Sequence, residues 1–315
     1  TDTGSPQENL VPTVKLVPAK LTLGSLRILG ANPCVIDIPN TAWEQVQKSH
    51  ARLQAVLQRA APAYGINTGF GKMARTRIEA ADLSTLQRNL VRSHAAGVGS
   101  SLAPQTVRLA LILKTMSLAQ GYSGVRPQIV ERLIEMVSQD MLPVVPEKGS
   151  VGASGDLAPL AHMSLPLIGE GEVFWNGSTM PAAKALQAVG LDALTLEAKE
   201  GLALLNGTQI STALAIDALF GAEQNLASAV VTGAISVDAA LGSYAPFDGR
   251  IHDIRRQTGQ ILIARLYRTL LKDSELNHSH ADCDRVQDPY CLRCQPQILG
   301  ACLDQLGHAA GILLR

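Results

Sequence analysis

Residues 149–162 carry the most distinctive chemistry in the sequence. They read Gly-Ser-Val-Gly-Ala-Ser-Gly-Asp-Leu-Ala-Pro-Leu-Ala-His. A phosphate-binding loop would end in Gly-Lys-Ser or Gly-Lys-Thr, and a nucleophile elbow would have glycine at the position of Asp156, so neither motif fits. Self-cyclisation does fit. Attack of the Gly155 nitrogen on the Ala153 carbonyl, with loss of water from the ring and from Ser154, would leave an electrophilic methylidene group, which no standard side chain supplies.

Three features of this segment favour cyclisation. Glycine at position 155 leaves the attacking nitrogen uncrowded, and the small residues before Ser154 permit a tight turn. Asp156 is placed to accept protons during the dehydration. The competing interpretation is an ordinary tight turn before a helix that starts near Asp156, and composition alone favours it.

The overall composition indicates a neutral, aliphatic protein. Lys+Arg and Asp+Glu both number 27, so the chain has no global field that would collect nucleic acid or an acidic membrane. Apolar residues make up 46% and aromatic residues 3%, which favours helices over a β-sandwich. The five cysteines do not suggest a disulfide framework, and we recognise no signal peptide or membrane span. We therefore expect a cytoplasmic protein without nucleic-acid or membrane partners.

The hydrophobic periodicity predicts a mainly α fold. We expect residues 1–12 to form a flexible tail and residues 13–315 one domain, in which an N-terminal helical region carries glycine-rich loops and leads into a long-helix bundle. Residues 41–44 resemble a capping box, and residues 208–241 form an apolar run typical of a bundle helix. The one clear β signal is residues 173–180, where Asn-Gly predicts a small type I′ hairpin.

Five short segments stand out in order along the chain. They are Tyr64-Gly65-Ile66-Asn67-Thr68-Gly69-Phe70-Gly71, Ser93-His94-Ala95-Ala96-Gly97, Ala153-Ser154-Gly155, Leu205-Asn206-Gly207-Thr208-Gln209 and Val286-Gln287-Asp288-Pro289-Tyr290, the last running on to Arg293. Together they resemble the histidine ammonia-lyase family, within the larger group of aromatic ammonia-lyases and aminomutases. The resemblance covers nearly the whole chain from about Leu21, and the five segments in this order are far more specific than any one of them.

The resemblance implies a catalytic apparatus built around a modified backbone. In the family, Ala153-Ser154-Gly155 becomes the methylidene-imidazolone ring (MIO), an autocatalytic prosthetic group that needs no metal. Tyr64, in a loop able to close over a substrate, would be the general base for the β-proton, which requires a phenol pKa below its usual value near 10. Tyr290 would lie beside the ring. Without the family match, Tyr64 would be interpreted as an ordinary exposed tyrosine.

The resemblance also implies four substrate-binding residues. Arg293 would pair bidentately with the substrate carboxylate, Asn206 would hydrogen-bond the substrate and the ring, and Gln287 would lie beside the ring. Ser93-His94 is the pair found in histidine-specific members, and we expect His94 to point inward on the apolar face of its helix. The plain alternatives are a solvated Arg293, a helix-capping Asn206 and a hydrogen-bonded core His94.

A structural zinc is a rival interpretation of the cysteine-rich region. The side chains that could ligate zinc by type and proximity are His278, His280, Cys283, Cys291 and Cys294. Their spacing matches no standard zinc module, and two of the cysteines bracket Arg293. We therefore expect no metal.

The resemblance implies a reaction and an assembly. The expected activity is non-oxidative deamination of L-histidine to urocanate and ammonia by a homotetramer with shared active sites. A phenylalanine or tyrosine ammonia-lyase, or an aminomutase with the same electrophile, is the alternative among enzymes. The family's chain continues beyond the position of Arg315 and carries an active-site glutamate and phenylalanine there, so we expect the domain to be incomplete at its C-terminus. An inactive truncated or assembly subunit is the alternative outside enzymes.

Overall fold

A computed structural model describes residues 12–59, 62–69, 71, 76–280 and 282–315. Most of these residues are helical, which confirms the mainly α fold. They form two compact units, one ending at Leu214 and the other running from Ala215 to Arg315. The predicted tail lies outside the described residues except for Pro12, and the single domain predicted for residues 13–315 stays a prediction.

The first unit combines helices with three small sheets. In chain order its elements are β1 (Thr13–Lys15), α1 (Leu23–Ala31), β2 (Val35–Asp37), α2 (Asn40–Leu57), α3 (Leu83–His94), β3 (Val98–Ser101), α4 (Pro104–Ala119), α5 (Pro127–Ser138), β4 (Leu142–Pro143), β5 (Pro146–Lys148), α6 (Leu157–Ser164), β6 (Glu172–Trp175), β7 (Ser178–Pro181), α7 (Ala182–Ala188), α8 (Glu200–Leu205) and the start of α9 (Gln209–Ala239). Strands β1 and β2 pair in parallel, β3 and β5 pair antiparallel, and β4, β6 and β7 form an antiparallel sheet.

The predicted hairpin is confirmed at β6 and β7. Its turn residues Asn176 and Gly177 have φ of 49° and 76°, the positive values that a type I′ turn requires. Trp175 pairs with Ser178 at the end of the ladder. The Trp175 indole also donates to the carbonyl oxygen of Gln139 at 2.9 Å, which fastens the hairpin to the end of α5.

Helix α4 is almost completely buried in the first unit. Pro104 begins it, and Gly121, with φ of 74°, follows its end. Helices α1, α2 and α5 pack against it, so nearly every residue from Thr106 onward is buried. A helix buried on all sides is normally apolar. Its buried Arg108 and Lys114 are therefore exceptions that require hydrogen-bond partners.

The capping box predicted for residues 41–44 is wrong. Helix α2 begins at Asn40, with Pro39 as its N-cap and no side-chain cap. Pro39 has φ of −66° and enters the helix from an extended conformation, so the first turn starts before Thr41. A capping box forms instead at α1, where the Thr22 hydroxyl accepts from the Ser25 amide at 3.1 Å.

The second unit contains the rest of α9 together with α10 (Gly249–Asp253), α11 (Thr258–Leu270), α12 (Glu275–Ser279), α13 (Tyr290–Arg293) and α14 (Gln295–Leu313). Helix α9 is continuous over 31 residues, which confirms the predicted bundle helix. Its core residues Val230 and Val237 pack with Phe247 and Tyr267. Glycines let α11 and α14 approach closely, since a Cβ on Gly259 would lie 2.2 Å from the Gly300 carbonyl oxygen. No helix in the described ranges is long and apolar enough to cross a membrane.

Candidate active site

The predicted ring-forming tripeptide lies in an exposed turn just before α6. Gly152, Ser154 and Gly155 have φ of 70°, 64° and 90°. Left-handed backbone at a serine is uncommon and marks a locally constrained chain. Ala153 and Ser154 are both exposed, so a small molecule can reach the Ser154 side chain. Helix α6 follows directly at Leu157, which puts its positive end beside the turn.

Gly155 lies directly against Gly207, which brings the third and fourth of the five segments together. The two glycines form an isolated parallel bridge, and the Asp156 amide donates to the Gly207 carbonyl oxygen at 2.8 Å. A Cβ on Gly155 would lie only 2.2 Å from that oxygen. Glycine at position 155 is therefore required by packing as well as by its positive φ.

Asp156 anchors the turn from its buried side. The residue is 1% exposed. Its Oδ1 accepts from the Ser150 hydroxyl at 2.8 Å and the Ser211 hydroxyl at 2.5 Å, and its Oδ2 accepts from the Ser211 amide at 2.7 Å. Because Ser211 lies in the first turn of α9, the helix dipole favours a carboxylate here. The structure thus gives Asp156 a positioning role, and its role as a proton acceptor stays a prediction.

The segment that follows His94 meets the start of the ring-forming loop. A Cβ on Gly149 would lie 3.1 Å from the Gly97 Cα, so the two backbones are in close contact. The Gly97 amide also donates to His162 Nε2 on α6 at 3.0 Å, and burial lowers the pKa of His162. Strands β3 and β5, which adjoin these glycines, pair with each other. The end of the second segment therefore contacts the loop that leads into the third segment.

His94 ends α3 with its ring half-buried, whereas the sequence suggested an inward-pointing side chain. Its position in the last turn allows Nδ1 to reach back to the Leu90 carbonyl oxygen at 2.8 Å. A carbonyl oxygen only accepts, so Nδ1 must carry the proton. The neutral ring then has an unprotonated Nε2 that can accept a hydrogen bond from a ligand.

Asn206 follows the last turn of α8 in an extended conformation, with φ of −82°, and its side chain is exposed. Its carbonyl oxygen accepts from the buried Nζ of Lys114 on α4 at 2.8 Å. The next residue is Gly207, which contacts Gly155. Asn206 therefore lies beside the ring-forming turn, and the buried Lys114 holds its backbone through a hydrogen bond to the carbonyl oxygen.

The second unit brings Gln287, Tyr290 and Arg293 together. Arg293 Nε donates to the Asp288 carbonyl oxygen at 3.0 Å, and its Cζ lies 5.6 Å from the centroid of the Tyr290 ring. With its amide oxygen toward the guanidinium, Gln287 accepts from Nη1 at 2.7 Å and from Nη2 at 2.8 Å. All three side chains line a cavity of about 420 Å³. Arg293 forms no salt bridge with another described residue, so its charge is available to an anionic ligand.

Asp288 fixes the loop that carries these side chains. Its carboxylate accepts from the Ser243 amide at 2.6 Å and pairs with Arg285 at 3.1 Å. The Ser243 hydrogen bond, with a smaller contribution from Arg285, holds the pKa of Asp288 below its usual value. The segment therefore stays in place while Asp288 is ionised.

Tyr64 lies on a separate loop of the first unit, and the residue is 60% exposed. The loop is supported by the side chain of Asn67, which accepts from the Ala63 amide at 2.7 Å. Phe70 and residues 72–75, in and after the glycine-rich segment, lie outside the described residues. The approach of Tyr64 to the tripeptide stays a prediction.

The cysteine-rich region has no arrangement suited to zinc in the described part of the chain. No three His, Cys, Asp or Glu side chains there are grouped as metal ligands. Cys283 and Cys291 are exposed, whereas Cys294 is buried. The His280 Nδ1 contacts the Leu276 carbonyl oxygen at 2.6 Å, which uses one of its ring nitrogens.

The residues around the turn fit the methylidene-imidazolone ring that the resemblance implies. Position 155 has no space for a side chain, and the hydroxyl that dehydration would remove is exposed on Ser154. The buried Asp156 holds the end of the tripeptide. Sequence reasoning missed several supporting residues, which are Lys114, Ser150, His162 and Ser211. Only Lys114 carried a readable signal, as a lysine inside an apolar helix.

Comparison with known proteins finds relatives over nearly the whole chain. The family model described as aromatic amino acid lyase matches residues 21–315. A histidine ammonia-lyase of Enterobacter sp. (strain 638) is 55% identical over 300 residues, which cover 95% of this chain and 59% of that protein. A histidine ammonia-lyase of Burkholderia mallei (strain NCTC 10229) is 53% identical over 301 residues, again covering 59% of its length. The chain thus spans about three fifths of these curated relatives.

Solved structures of related proteins share the fold. Histidine ammonia-lyase from Trypanosoma cruzi superposes with a TM-score of 0.84 at 33% identity, covering 95% of this chain and 56% of that one. Tyrosine aminomutase from Streptomyces globisporus superposes with a TM-score of 0.85 at 34% identity, covering 96% and 61%. With the family model matched over most of its length, the chain belongs to the aromatic amino acid lyase family.

Proposed function

We propose that the protein is a histidine ammonia-lyase, which converts L-histidine to urocanate and ammonia, and that its electrophile is an MIO group made from Ala153-Ser154-Gly155. The observation that carries the proposal is the turn at residues 153–155, anchored by Asp156 and packed at Gly155 against Gly207. The identity of 53–55% with curated histidine ammonia-lyases supports the choice of substrate.

Ring formation would remove two water molecules from the chain and would need no other reactant. A bond forms between the Gly155 nitrogen and the Ala153 carbonyl carbon, and the Ala153 oxygen leaves as water with the hydrogens of the Gly155 and Ser154 amides. The second water takes the Ser154 hydroxyl and the Ser154 α-hydrogen, which leaves a carbon–carbon double bond. The tight backbone contact at Gly207 restricts how the tripeptide can move during closure.

In the proposed assembly with shared sites, side chains from one or more copies of the chain would bind and orient the substrate. The finished ring supplies an electrophile for the amino group, because ammonia is otherwise a poor leaving group. Arg293 pairs with the carboxylate through its planar fork, and Gln287 and Tyr290 hold that fork in place. His94 Nε2 accepts from the substrate imidazole, and Asn206 donates from beside the turn. Tyr64 removes the β-proton.

We also propose a cytoplasmic homotetramer with shared sites. In the described second unit, Val231 and Ile235 lie one turn apart on α9 and are 46% and 61% exposed. Ile298 and Ile312 on α14 are more than half exposed. Large apolar side chains in such positions favour burial against another chain. Size-exclusion chromatography with light scattering of the full-length protein tests this, and a monomer at micromolar concentration would contradict it.

The experiment that tests the activity is a comparison of substrates. The full-length protein is given L-histidine, L-phenylalanine and L-tyrosine separately, and urocanate or the corresponding cinnamates are followed by absorbance. We expect urocanate to form fastest, and no product in Ser154→Ala. An aminomutase, as the similarity to tyrosine aminomutase would allow, is recognised by a β-amino acid product. Faster release of a cinnamate than of urocanate would overturn the histidine assignment.

A further inference from the structure

Lys114 is a buried lysine to which the proposed reaction assigns no role. The residue is 1% exposed, and its Nζ donates to the Asn206 carbonyl oxygen at 2.8 Å. Burial alone lowers the pKa of the Lys114 ammonium, to about 7, with no contribution from a neighbouring charge. Among the residues that the structure describes, Lys114 thus has a carbonyl partner and no carboxylate partner.

Packing does not explain this lysine. A buried amine without an opposite charge costs free energy, and an apolar side chain of similar volume often stabilises the fold more. Arg108, on the same helix, shows the usual solution. It pairs with Asp140 through two hydrogen bonds of 2.8 and 3.0 Å and donates to the Gly30 carbonyl oxygen. Lys114 has no such carboxylate partner among the described residues, so the reason for a lysine here must lie in the carbonyl oxygen that it contacts.

The hydrogen bond from Lys114 holds a peptide unit that adjoins the ring-forming turn. The Asn206 carbonyl and the Gly207 nitrogen belong to one planar peptide unit, so a hydrogen bond to that oxygen fixes the plane. Gly207 is then bridged to Gly155, and its own carbonyl accepts from the Asp156 amide. The carbonyl held by Lys114 is therefore directly followed by the residue whose backbone contacts the tripeptide.

We propose that Lys114 is a positioning residue of the ring-forming site, which fixes Asn206 and Gly207 against Gly155 and so sets the geometry in which the tripeptide closes. The inference rests on the proposed function, because it concerns the maturation of the same electrophile. Lys114 itself is assigned no contact with the tripeptide or the substrate. It acts through the Asn206 carbonyl.

The test compares ring formation in folded variants of the full-length protein. Lys114→Met keeps the volume and removes the donor, and Lys114→Gln keeps a shorter donor. Thr115→Val alters a buried neighbour whose hydroxyl donates to the Leu111 carbonyl oxygen of the same helix. The loop peptide is isolated by proteolysis at intervals after synthesis, and the fraction that has lost two waters is measured by mass spectrometry. Circular dichroism and thermal unfolding report folding separately.

We expect Lys114→Met to fold and to form the ring at least about tenfold more slowly than the wild type, with Lys114→Gln between them and Thr115→Val unchanged. A purely structural lysine would change stability and leave ring formation in the folded protein unaltered. Wild-type rates of ring formation in either folded Lys114 variant would overturn the proposal. A wild-type loop without the water loss would instead contradict the proposed function on which the inference rests.

Discussion

The Asp156 amide donates to the Gly207 carbonyl oxygen at 2.8 Å, next to the point where Gly155 and Gly207 form their bridge. This contact joins two segments that are remote in sequence, and each contributes residues to the candidate site. It also leaves no space for a side chain at Gly155. At the neighbouring turn residue Gly152, by contrast, an added Cβ would meet no heavy atom within 4 Å. Substitutions at the two glycines therefore distinguish the cost of a side chain at positive φ from the cost of a steric clash with Gly207.

Gly155→Ala should destabilise the protein more than Gly152→Ala. Both residues have positive φ, which costs an L-residue about 1–2 kcal/mol. At position 155 the new methyl would also meet the Gly207 carbonyl oxygen at 2.2 Å, which should add at least about 1 kcal/mol. Urea denaturation measures the free energy of unfolding of each variant. Equal losses would show that the Gly155–Gly207 contact does not constrain the turn.

Arg293→Lys should raise the KM for histidine by roughly tenfold or more, because a point charge cannot replace the bidentate fork that Gln287 and Tyr290 hold. The matched control is Arg285→Lys, where a lysine can still pair with Asp288. Steady-state kinetics of the full-length protein measure both. An unchanged KM in Arg293→Lys would make Arg293 an ordinary surface residue.

His94→Phe should slow urocanate formation by roughly tenfold or more and raise the relative rate with phenylalanine. The ring donates through Nδ1 to the Leu90 carbonyl, so in the neutral ring Nε2 is an acceptor that an apolar substrate would leave without a partner. Competition between L-histidine and L-phenylalanine, followed by absorbance, measures the change. Retention of the wild-type preference would remove His94 from substrate selection.

Stability should depend on pH through Lys114. Its pKa is lowered by burial from 10.5 to about 7, so between these values the unfolded chain binds a proton that the folded chain lacks. The free energy of unfolding contributed by this group should therefore rise with pH across that window, by up to about 1.4 kcal/mol per pH unit, and stay constant below it. Urea denaturation of wild type and Lys114→Met at several pH values isolates the contribution of this amine. If the free energies of unfolding of the two proteins changed with pH in parallel, Lys114 would not contribute this dependence.

Sequence patterns predicted secondary-structure elements correctly where the residues that carry the pattern are neighbours in the chain. The Asn176-Gly177 turn and the long apolar run of α9 depend on residues close together in sequence, and both were confirmed. The prediction of a capping box at residues 41–44 was wrong because the helix begins earlier, directly after Pro39. The proline is a second local signal for a helix start, and it competes with Thr41. Family resemblance, rather than periodicity, identified most of the candidate site residues.

The supporting contacts were beyond sequence reasoning because they connect remote segments. Nothing local indicates that Ser211 donates twice to Asp156, or that Lys114 reaches the carbonyl of Asn206. Such partners depend on how helices α4, α6, α8 and the start of α9 pack in the first unit. A buried lysine in an apolar helix signals that a partner must exist, and only the fold identifies it.

The mass of the loop peptide tests the central claim most directly. If Ala153-Ser154-Gly155 matures into the ring, the proteolytic peptide that contains it should be lighter than its sequence mass by two waters, about 36 Da. In Ser154→Ala the hydroxyl needed for the second dehydration is absent, so the full loss should not occur. A folded wild-type protein whose loop peptide has its full sequence mass would contradict the account, whereas a loss of two waters confined to this peptide is the result it predicts.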